Sequence, residues 1–366
     1  MPTIHDLPTP ALVLDLDRLE RNLRNMAARA DQLGVRLRPH IKSHKCVEIA
    51  LAQKALGATG IAVSSLEEAA VFARHGFSDI TWAFPVILSR LDEVTELARS
   101  INLGVVVDSD AAVEAVSALG VPLRVWLKID CGYHRAGLDP ESAEVLDLAK
   151  KIVQTDSLEF AGILSHSGDA YAARSEDHVL QIAEDEGRTM SAISERLKAE
   201  DIETADVSVG STPSATRATD LSGATEIRPG NYALFDYTQT ALGSCDTVDC
   251  AVTVMASVIS SRADLAQSVL DAGALALSLD SGPDHLADRT YGHVFDDYAA
   301  GSLSPRFRLT SLSQEHGRMS GALPVGDRVR ILPNHSCTTV ACFDSLHVAR
   351  GDEVVDRWKI WRSRSS

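Results

Sequence analysis

Short apolar runs alternate with amphipathic stretches from the start of the chain to about residue 240. The runs are Val35–Ile41, Gly60–Val63, Ile80–Phe84, Leu103–Val107, Leu123–Ile129, Leu158–Leu164, Asp206–Val209 and Ala224–Ile227. Near-continuous apolar runs of this length, bounded by turn residues, predict buried strands of a parallel sheet. Ahead of the first run, Leu19, Leu23, Met26, Ala30 and Leu33 recur at three- and four-residue steps, which predicts a helix over 17–33. Asp17 suits its N-cap and Gly34 its stop. Eight such strand–helix units over about 200 residues predict a parallel (β/α)8 barrel. A doubly wound open sheet is the competing arrangement, but no GxGxxG follows an early strand.

After about residue 245 the long helical period disappears. Val248–Ile259, Ala274–Leu279, Phe307–Leu312, Arg328–Leu332 and Thr338–Phe343 are predicted strands separated by Gly, Pro and Asp. They describe a mainly antiparallel β domain, into which Pro10–Leu14 can also pair. The expected division is a barrel over 15–242 and a β domain made of 1–14 and 243–366.

Composition narrows the function. The chain has 366 residues, 45% of them hydrophobic, enough for one large core and a smaller one. A net charge of −16 without a long basic run argues against a nucleic-acid partner. No apolar run reaches membrane-spanning length, and Met1–Asp6 lacks the cationic and apolar segments of a secretory signal. Six cysteines at 46, 131, 245, 250, 337 and 342 form no CxxC pair, which fits reduced thiols in a cytoplasmic protein.

Polar residues gather where the predicted strands end, the place where barrel enzymes keep their chemistry. Lys42, within Arg38-Pro39-His40-Ile41-Lys42-Ser43-His44-Lys45, closes the first strand. Neighbouring cations and burial both favour a neutral amine, which can attack an aldehyde; a basic surface at a strand end is the plainer alternative. Asp130 to Gly137 follow the fifth strand, and Ser165 to Tyr171 the sixth. Gly210-Ser211-Thr212-Pro213-Ser214 and Arg228-Pro229-Gly230-Asn231-Tyr232 follow the seventh and eighth. Gly210 and Gly230 allow close backbone approach, and Ser211 and Thr212 offer hydroxyls, so these two loops suit a phosphate. Each alone is an ordinary turn. Together, opposite a strand-end lysine, they favour a cofactor with an aldehyde and a phosphate, pyridoxal 5′-phosphate. Further on, Pro333-Asn334-His335-Ser336-Cys337 sets imidazole and thiol two residues apart, on one face of a predicted strand. That donor pair suits Zn²⁺, although a chance HxC is common and two ligands leave positions for water or substrate oxygen.

The ordered set RPHIKSHK, KIDCGYHRAG, SHSGDAY, VGSTPS, IRPGNY, DAGALALS and PNHSC resembles fold-type III pyridoxal phosphate enzymes of the D-serine dehydratase and D-threonine aldolase group. The resemblance spans nearly the whole chain. It implies an alanine-racemase-like barrel with a β domain, a homodimer with its sites near the interface, and a divalent metal beside the cofactor. Carried over by motif, Lys42 is the Schiff-base and catalytic lysine. Arg135 bonds the cofactor's phenolic oxygen, His166 lies against its ring as a second catalytic group, and Tyr171 stands near the pyridine nitrogen. Ser211, Thr212, Gly230 and Asn231 cradle the phosphate, and His335 and Cys337 hold the metal, Zn²⁺ first, with Mn²⁺, Mg²⁺ and Co²⁺ overlapping. Family aldolases tend to carry Asp at the place of Cys337, so the thiol and the GSTPS loop point to the dehydratase branch. Asp169 departs from relatives that often show a second His there.

The resemblance implies a lyase on β-hydroxy D-amino acids. A dehydratase would give a 2-oxo acid and ammonia; an aldolase acting on D-threonine or 3-hydroxy-D-aspartate would give glycine and an aldehyde. An amino acid racemase would need a second base and no metal. A non-catalytic pyridoxal-phosphate carrier would not need the β domain. His75, His178, His285, His293 and His347 have no companion pattern and read as surface or packing residues. His316, within Gln314-Glu315-His316-Gly317, lies in a segment similar to one that the family places near the site, and Asp280 shows a weaker likeness of the same kind.

Overall fold

The computed structural model describes residues 2–221, 223–283 and 289–362; His285 lies outside them. The chain forms two compact units. One, the barrel unit, comprises 26–42 and 49–230. The other, the β unit, comprises 1–25, 43–48 and 231–362. This division departs from the expected 15–242, because 15–25, 43–48 and 231–242 group with the β strands. Hydrogen bonds from Asn231 and Ser336 to the Asp236 carboxylate show one local cause.

The N-terminal strand β1 (Ala11–Asp15) belongs to the β unit. The barrel strands are β2 (Arg36–Leu37), β3 (Ile61–Val63), β4 (Asp79–Pro85), β5 (Asn102–Val107), β6 (Leu123–Lys128), β7 (Leu158–Leu164), β8 (Asp206–Val209) and β9 (Glu226–Ile227). They pair in the order β2-β9-β8-β7-β6-β5-β4-β3, every pairing parallel. A parallel bridge between His40 and Ala62 closes the ring. All eight expected strands are present. The first and last are short because Pro39 and Pro229 have no N–H to give to a ladder. Their neighbours continue the pairing: Arg38 N–H donates to Ile227 O at 3.0 Å and His40 N–H to Pro229 O at 3.0 Å.

Branched and aromatic side chains fill the barrel. Val105, Val107, Val125, Trp126, Leu127 and Ile163 are fully buried, as expected for strands covered on both faces. Gly162, at φ +129°, lies where a Cβ would overlap the Asp206 carbonyl oxygen, so β7 and β8 can meet there only through glycine. The barrel also holds a buried ionic group. Arg38 donates through Nε to Glu226 at 2.8 Å and through its two terminal nitrogens to Asp79 at 2.7 and 3.2 Å. Ser208 Oγ donates to the other Glu226 oxygen at 2.6 Å.

In the β unit, β10 (Val252–Arg262), β11 (Gln267–Leu270), β12 (His293–Asp297), β13 (Ser302–Leu312), β14 (Gly317–Ser320) and β15 (Arg328–Leu332) are joined by β16 (Ser345–Arg350) and β17 (Glu353–Lys359). The nine-stranded sheet runs β11-β14-β13-β12-β15-β10-β1-β16-β17, and an added β10–β11 pairing closes its first six strands into a ring. Leu12 and Leu14 of β1 pair with Val254 and Val252, which realises the expected entry of the N-terminal strand. The strands expected at Ala274–Leu279 and Thr338–Phe343 are instead short helices, Ala274–Leu277 and Ser336–Val340. In the first, Ala and Leu favour helix over strand once Gly273 has turned the chain. In the second, the Ser336 N–H donates to Asp236 at 2.8 Å, so a tertiary partner satisfies a first-turn donor that β-branched Thr339 and Val340 gave no sign of.

Candidate active site and metal site

Within the barrel unit, Lys42 sits in the 3-10 turn Ile41–Ser43, beyond the strand rather than on it. It is partly buried, and its backbone N–H faces His40 Nδ1 at 3.4 Å. His166 follows β7 directly, one residue after Ser165. Burial holds its pKa well below the usual imidazole value, and the positive charges of Lys42, Lys128, Arg135 and Arg228 push it further down. The ring is therefore neutral at physiological pH. Tyr133 meets it edge-on, with centroids 6.0 Å apart at 87°, and the Arg135 guanidinium lies 4.8 Å above the Tyr133 ring. Gly168 makes room for this stack, since a Cβ there would stand 2.5 Å from the tyrosine ring. The structure thus brings Lys42, Arg135 and His166 into one electrostatic neighbourhood.

Two further cations complete that neighbourhood. Lys128 ends β6 and is buried; burial first, and Arg228 next, bring its pKa down to about 8. Arg228 is buried too, donating to Ser208 Oγ at 2.5 Å and to the Ser165 carbonyl, and burial lowers its pKa to about 10. A charged residue directly after the apolar run of Val125, Trp126 and Leu127, at the end of its strand, was the available signal for Lys128.

Ser211 caps the short helix Thr212–Arg217 in a reciprocal box with Ser214. Its hydroxyl lies 3.0 Å from Ser214 Oγ and 3.2 Å from Ser167 Oγ, and its N–H donates to Ser214 Oγ at 2.7 Å. Ser211 therefore serves an anion only through a shared hydroxyl. Thr212 and Gly230 are buried at the same ends of β8 and β9. Tyr171 lies in the 3-10 turn Gly168–Ala172, partly buried. In the same turn Asp169 has its pKa raised by burial, and its Oδ1 makes no hydrogen bond.

Within the β unit, His335 and Cys337 open the helix Ser336–Val340, with His335 as N-cap. Their shared face is that of a helix start, not the expected strand. His335 Nδ1 pairs with Asp280 Oδ2 at 2.8 Å. Burial opposes protonation of this imidazole, but Cys337 and Asp280 outweigh it and raise the pKa well above normal. Burial likewise opposes the Cys337 thiolate, and His335 outweighs it, so the thiol pKa falls. The Asn231 amide donates to Asp236 at 2.7 Å, to Ser336 Oγ at 3.1 Å and to Cys337 Sγ at 3.5 Å. Its side chain is committed to the surroundings of Cys337, which leaves its backbone N–H for the phosphate role expected of it. Asp236, with no periodic or motif signal in the sequence, is the hub of this cluster. His316 is exposed in the turn between β13 and β14. Among the described residues no group of three or more His, Cys, Asp or Glu could hold a metal ion, so His335 and Cys337 stand as a two-donor set.

Comparison with known proteins agrees with this fold. Residues 14–238 match the family model for the alanine racemase N-terminal domain, and 251–349 that for a putative serine dehydratase domain. The chain is 38% identical to the D-threo-3-hydroxyaspartate dehydratase of Delftia sp. HT23, covering 98% of each; the solved structure of that enzyme superposes with a TM-score of 0.93. It is 35% identical to the D-serine dehydratase of Dictyostelium discoideum over 97% of each chain. The D-threonine aldolase of Filomicrobium marinum is 31% identical over 98% of this chain and 97% of its own, with a TM-score of 0.88. With its barrel and its second domain, the chain belongs to the fold-type III pyridoxal-phosphate lyases that join an alanine racemase N-terminal domain to a serine dehydratase domain.

Proposed function

We propose that this protein is a pyridoxal-phosphate- and divalent-metal-dependent dehydratase of β-hydroxy D-amino acids. The observation that carries the reading is the set of four cations, Lys42, Lys128, Arg135 and Arg228, around a neutral His166. Such an excess of positive charge suits a phosphorylated, phenolate-bearing cofactor that also needs an amine to hold it. The relatives at 38% and 35% identity are both dehydratases, and Cys337 matches the thiol expected of that branch.

The cofactor, when bound, supplies an electron-poor ring that withdraws electrons from the amino acid's α-carbon. Lys42 would hold it, and the same amine, once released, would take the α-proton. Arg135, 4.8 Å over the Tyr133 ring, would donate to the phenolic oxygen. A neutral His166 would pack against the ring without adding charge to an already cationic site. Ser211, Thr212, Gly230 and the Asn231 N–H would receive the phosphate, and Tyr171 would serve the pyridine side.

The metal donors fit a borderline-soft ion. Asp280 on Nδ1 would orient the imidazole, and the ion would replace the protons of the His335 imidazolium and the Cys337 thiol, binding the neutral ring and the thiolate. One solved D-threo-3-hydroxyaspartate dehydratase variant, 37% identical to this chain, is a metal-free form. His335 and Cys337 would hold Zn²⁺ by preference, and the ion would supply Lewis acidity toward a hydroxyl.

Product analysis with D-serine and D-threonine tests the reading. Pyruvate or 2-oxobutyrate with ammonia supports it. Glycine with acetaldehyde would establish the aldolase reading, which the 31% identical D-threonine aldolase favours. A racemised substrate would refute both. The proposal extends to a cytoplasmic homodimer; the six cysteines form no disulfide, no helix among the described residues is long and apolar enough to cross a membrane, and sedimentation in solution tests the assembly.

A further inference from the structure

One buried carboxylate in the barrel unit has no part in the chemistry above. The helix Glu176–Lys198 buries Val179, Ala183, Glu186, Gly187, Met190, Ile193 and Leu197 along one stripe. Glu186 is the only charged side chain in that stripe, and it is 2% exposed. A carboxylate in such a position is costly unless its oxygens are satisfied. Both are. Ser165 Oγ donates to Oε1 at 2.6 Å, and the Gly210 N–H donates to Oε2 at 3.1 Å.

The two donors identify the purpose. Ser165 is the first residue after β7 and Gly210 the first after β8. His166 and Ser211 follow them directly in the chain. One rigid side chain on one helix therefore grips the roots of two separate loops, each one residue from a group assigned to the cofactor. The loops are also laced further out, where Ser167 Oγ lies 2.8 Å from Ser214 Oγ. The carboxylate charge also stands against the buried cations, acting on both Lys128 and Arg228.

We propose that Glu186 is a positioning residue for the cofactor site, setting where the His166 ring and the Ser211–Thr212 turn stand relative to each other. This rests on the function proposed above. A purely structural carboxylate would affect stability alone, whereas a positioning one must affect the bound cofactor.

Glu186→Gln keeps an acceptor for Ser165 but turns an N–H toward the Gly210 N–H. Ser165→Ala removes the other bond and leaves the Gly210 contact intact. Dissociation of pyridoxal phosphate from the holoenzyme, read by absorbance, should show affinity weakened about tenfold in Glu186→Gln, which corresponds to about 1.4 kcal/mol, and about threefold in Ser165→Ala. The absorbance maximum of the bound cofactor should shift, and kcat for D-serine should fall while KM changes less than twofold. Wild-type cofactor affinity and spectrum in both variants would overturn the proposal, as would a loss confined to thermal stability. If Glu186→Gln does not fold, Ser165→Ala decides alone. A wild-type protein that binds no pyridoxal phosphate would instead overturn the proposed function, and the clamp with it.

Discussion

Replacing Arg38 with methionine should destabilise the barrel unit by about 3–5 kcal/mol, the range for removing one partner of a buried ion pair. Arg38 is 2% exposed and Glu226 not at all. Burial disfavours the guanidinium charge, yet Glu226 and Asp79 more than offset it, so its pKa stands above the ordinary arginine value. Methionine fills much of the same volume but removes the guanidinium bonded to Glu226, leaving that carboxylate with Ser208 Oγ as its hydrogen-bond partner and the buried Arg228 as its remaining countercharge. Asp79, about a third exposed, adds less than about 1 kcal/mol, as partly solvated pairs do. The loss is therefore set by Glu226. Urea unfolding followed by tryptophan fluorescence reads it directly, since Trp82 and Trp126 are buried in the same barrel. The double variant Arg38→Met/Glu226→Gln removes both charges and should recover about half the loss, because the penalty belongs to the stranded carboxylate. A single variant within about 1 kcal/mol of wild type, or a double variant no better than the single, would show that Arg38 does not neutralise a buried charge.

Lys42→Ala should abolish the absorbance band of the lysine-bound cofactor and all turnover while leaving stability within about 1 kcal/mol of wild type; a retained band would refute the assignment. His335→Ala and Cys337→Ser should each lower bound metal, measured by elemental analysis, and suppress turnover while pyridoxal phosphate stays bound; full activity in a chelator-treated enzyme would remove the metal from the reaction. His293 is held neutral, its pKa brought down to about 4 by burial and then by Arg308. Its unfolded value lies near 6.5, so protonation favours the unfolded chain. The stability this neutral ring gives is complete above about pH 6.5 and lost as pH falls toward about 4. His293→Gln should remove up to about 3 kcal/mol of that pH dependence, and parallel wild-type and variant stability curves across that window would contradict it. Gly168→Ala should push Tyr133 away from His166 and lower turnover with little loss of stability, a split that kinetics and thermal melting separate.

The barrel was legible because each strand is an apolar run and each loop a polar one, and parallel strands covered on both faces leave that trace in sequence. Lys42, His166 and Arg135 drew attention in the sequence for a related reason, being polar side chains in the segments that follow strands. The short helices at 274–277 and 336–340 were not. Four or five residues carry too little period to separate helix from strand, and the Ser336 donor is satisfied by a carboxylate 100 residues earlier. Asp236 shows the same limit: it gathers the Asn231 amide and the Ser336 N–H, and its importance depends on contacts distant in sequence.

The way the backbone threads the two units limits how this enzyme can be remodelled. Segment 43–48 leaves the barrel unit immediately after Lys42 and returns to it at Ile49, and 231–362 begins immediately after Gly230. The family models divide the chain once, between 238 and 251, whereas the backbone crosses from one folded body to the other after residues 25, 42, 48 and 230. A chimera that grafts a relative's β unit by a single junction would therefore separate a hexapeptide from the body it packs with. Transplanting the β unit intact would require three matched pieces, 1–25, 43–48 and 231–362, moved together.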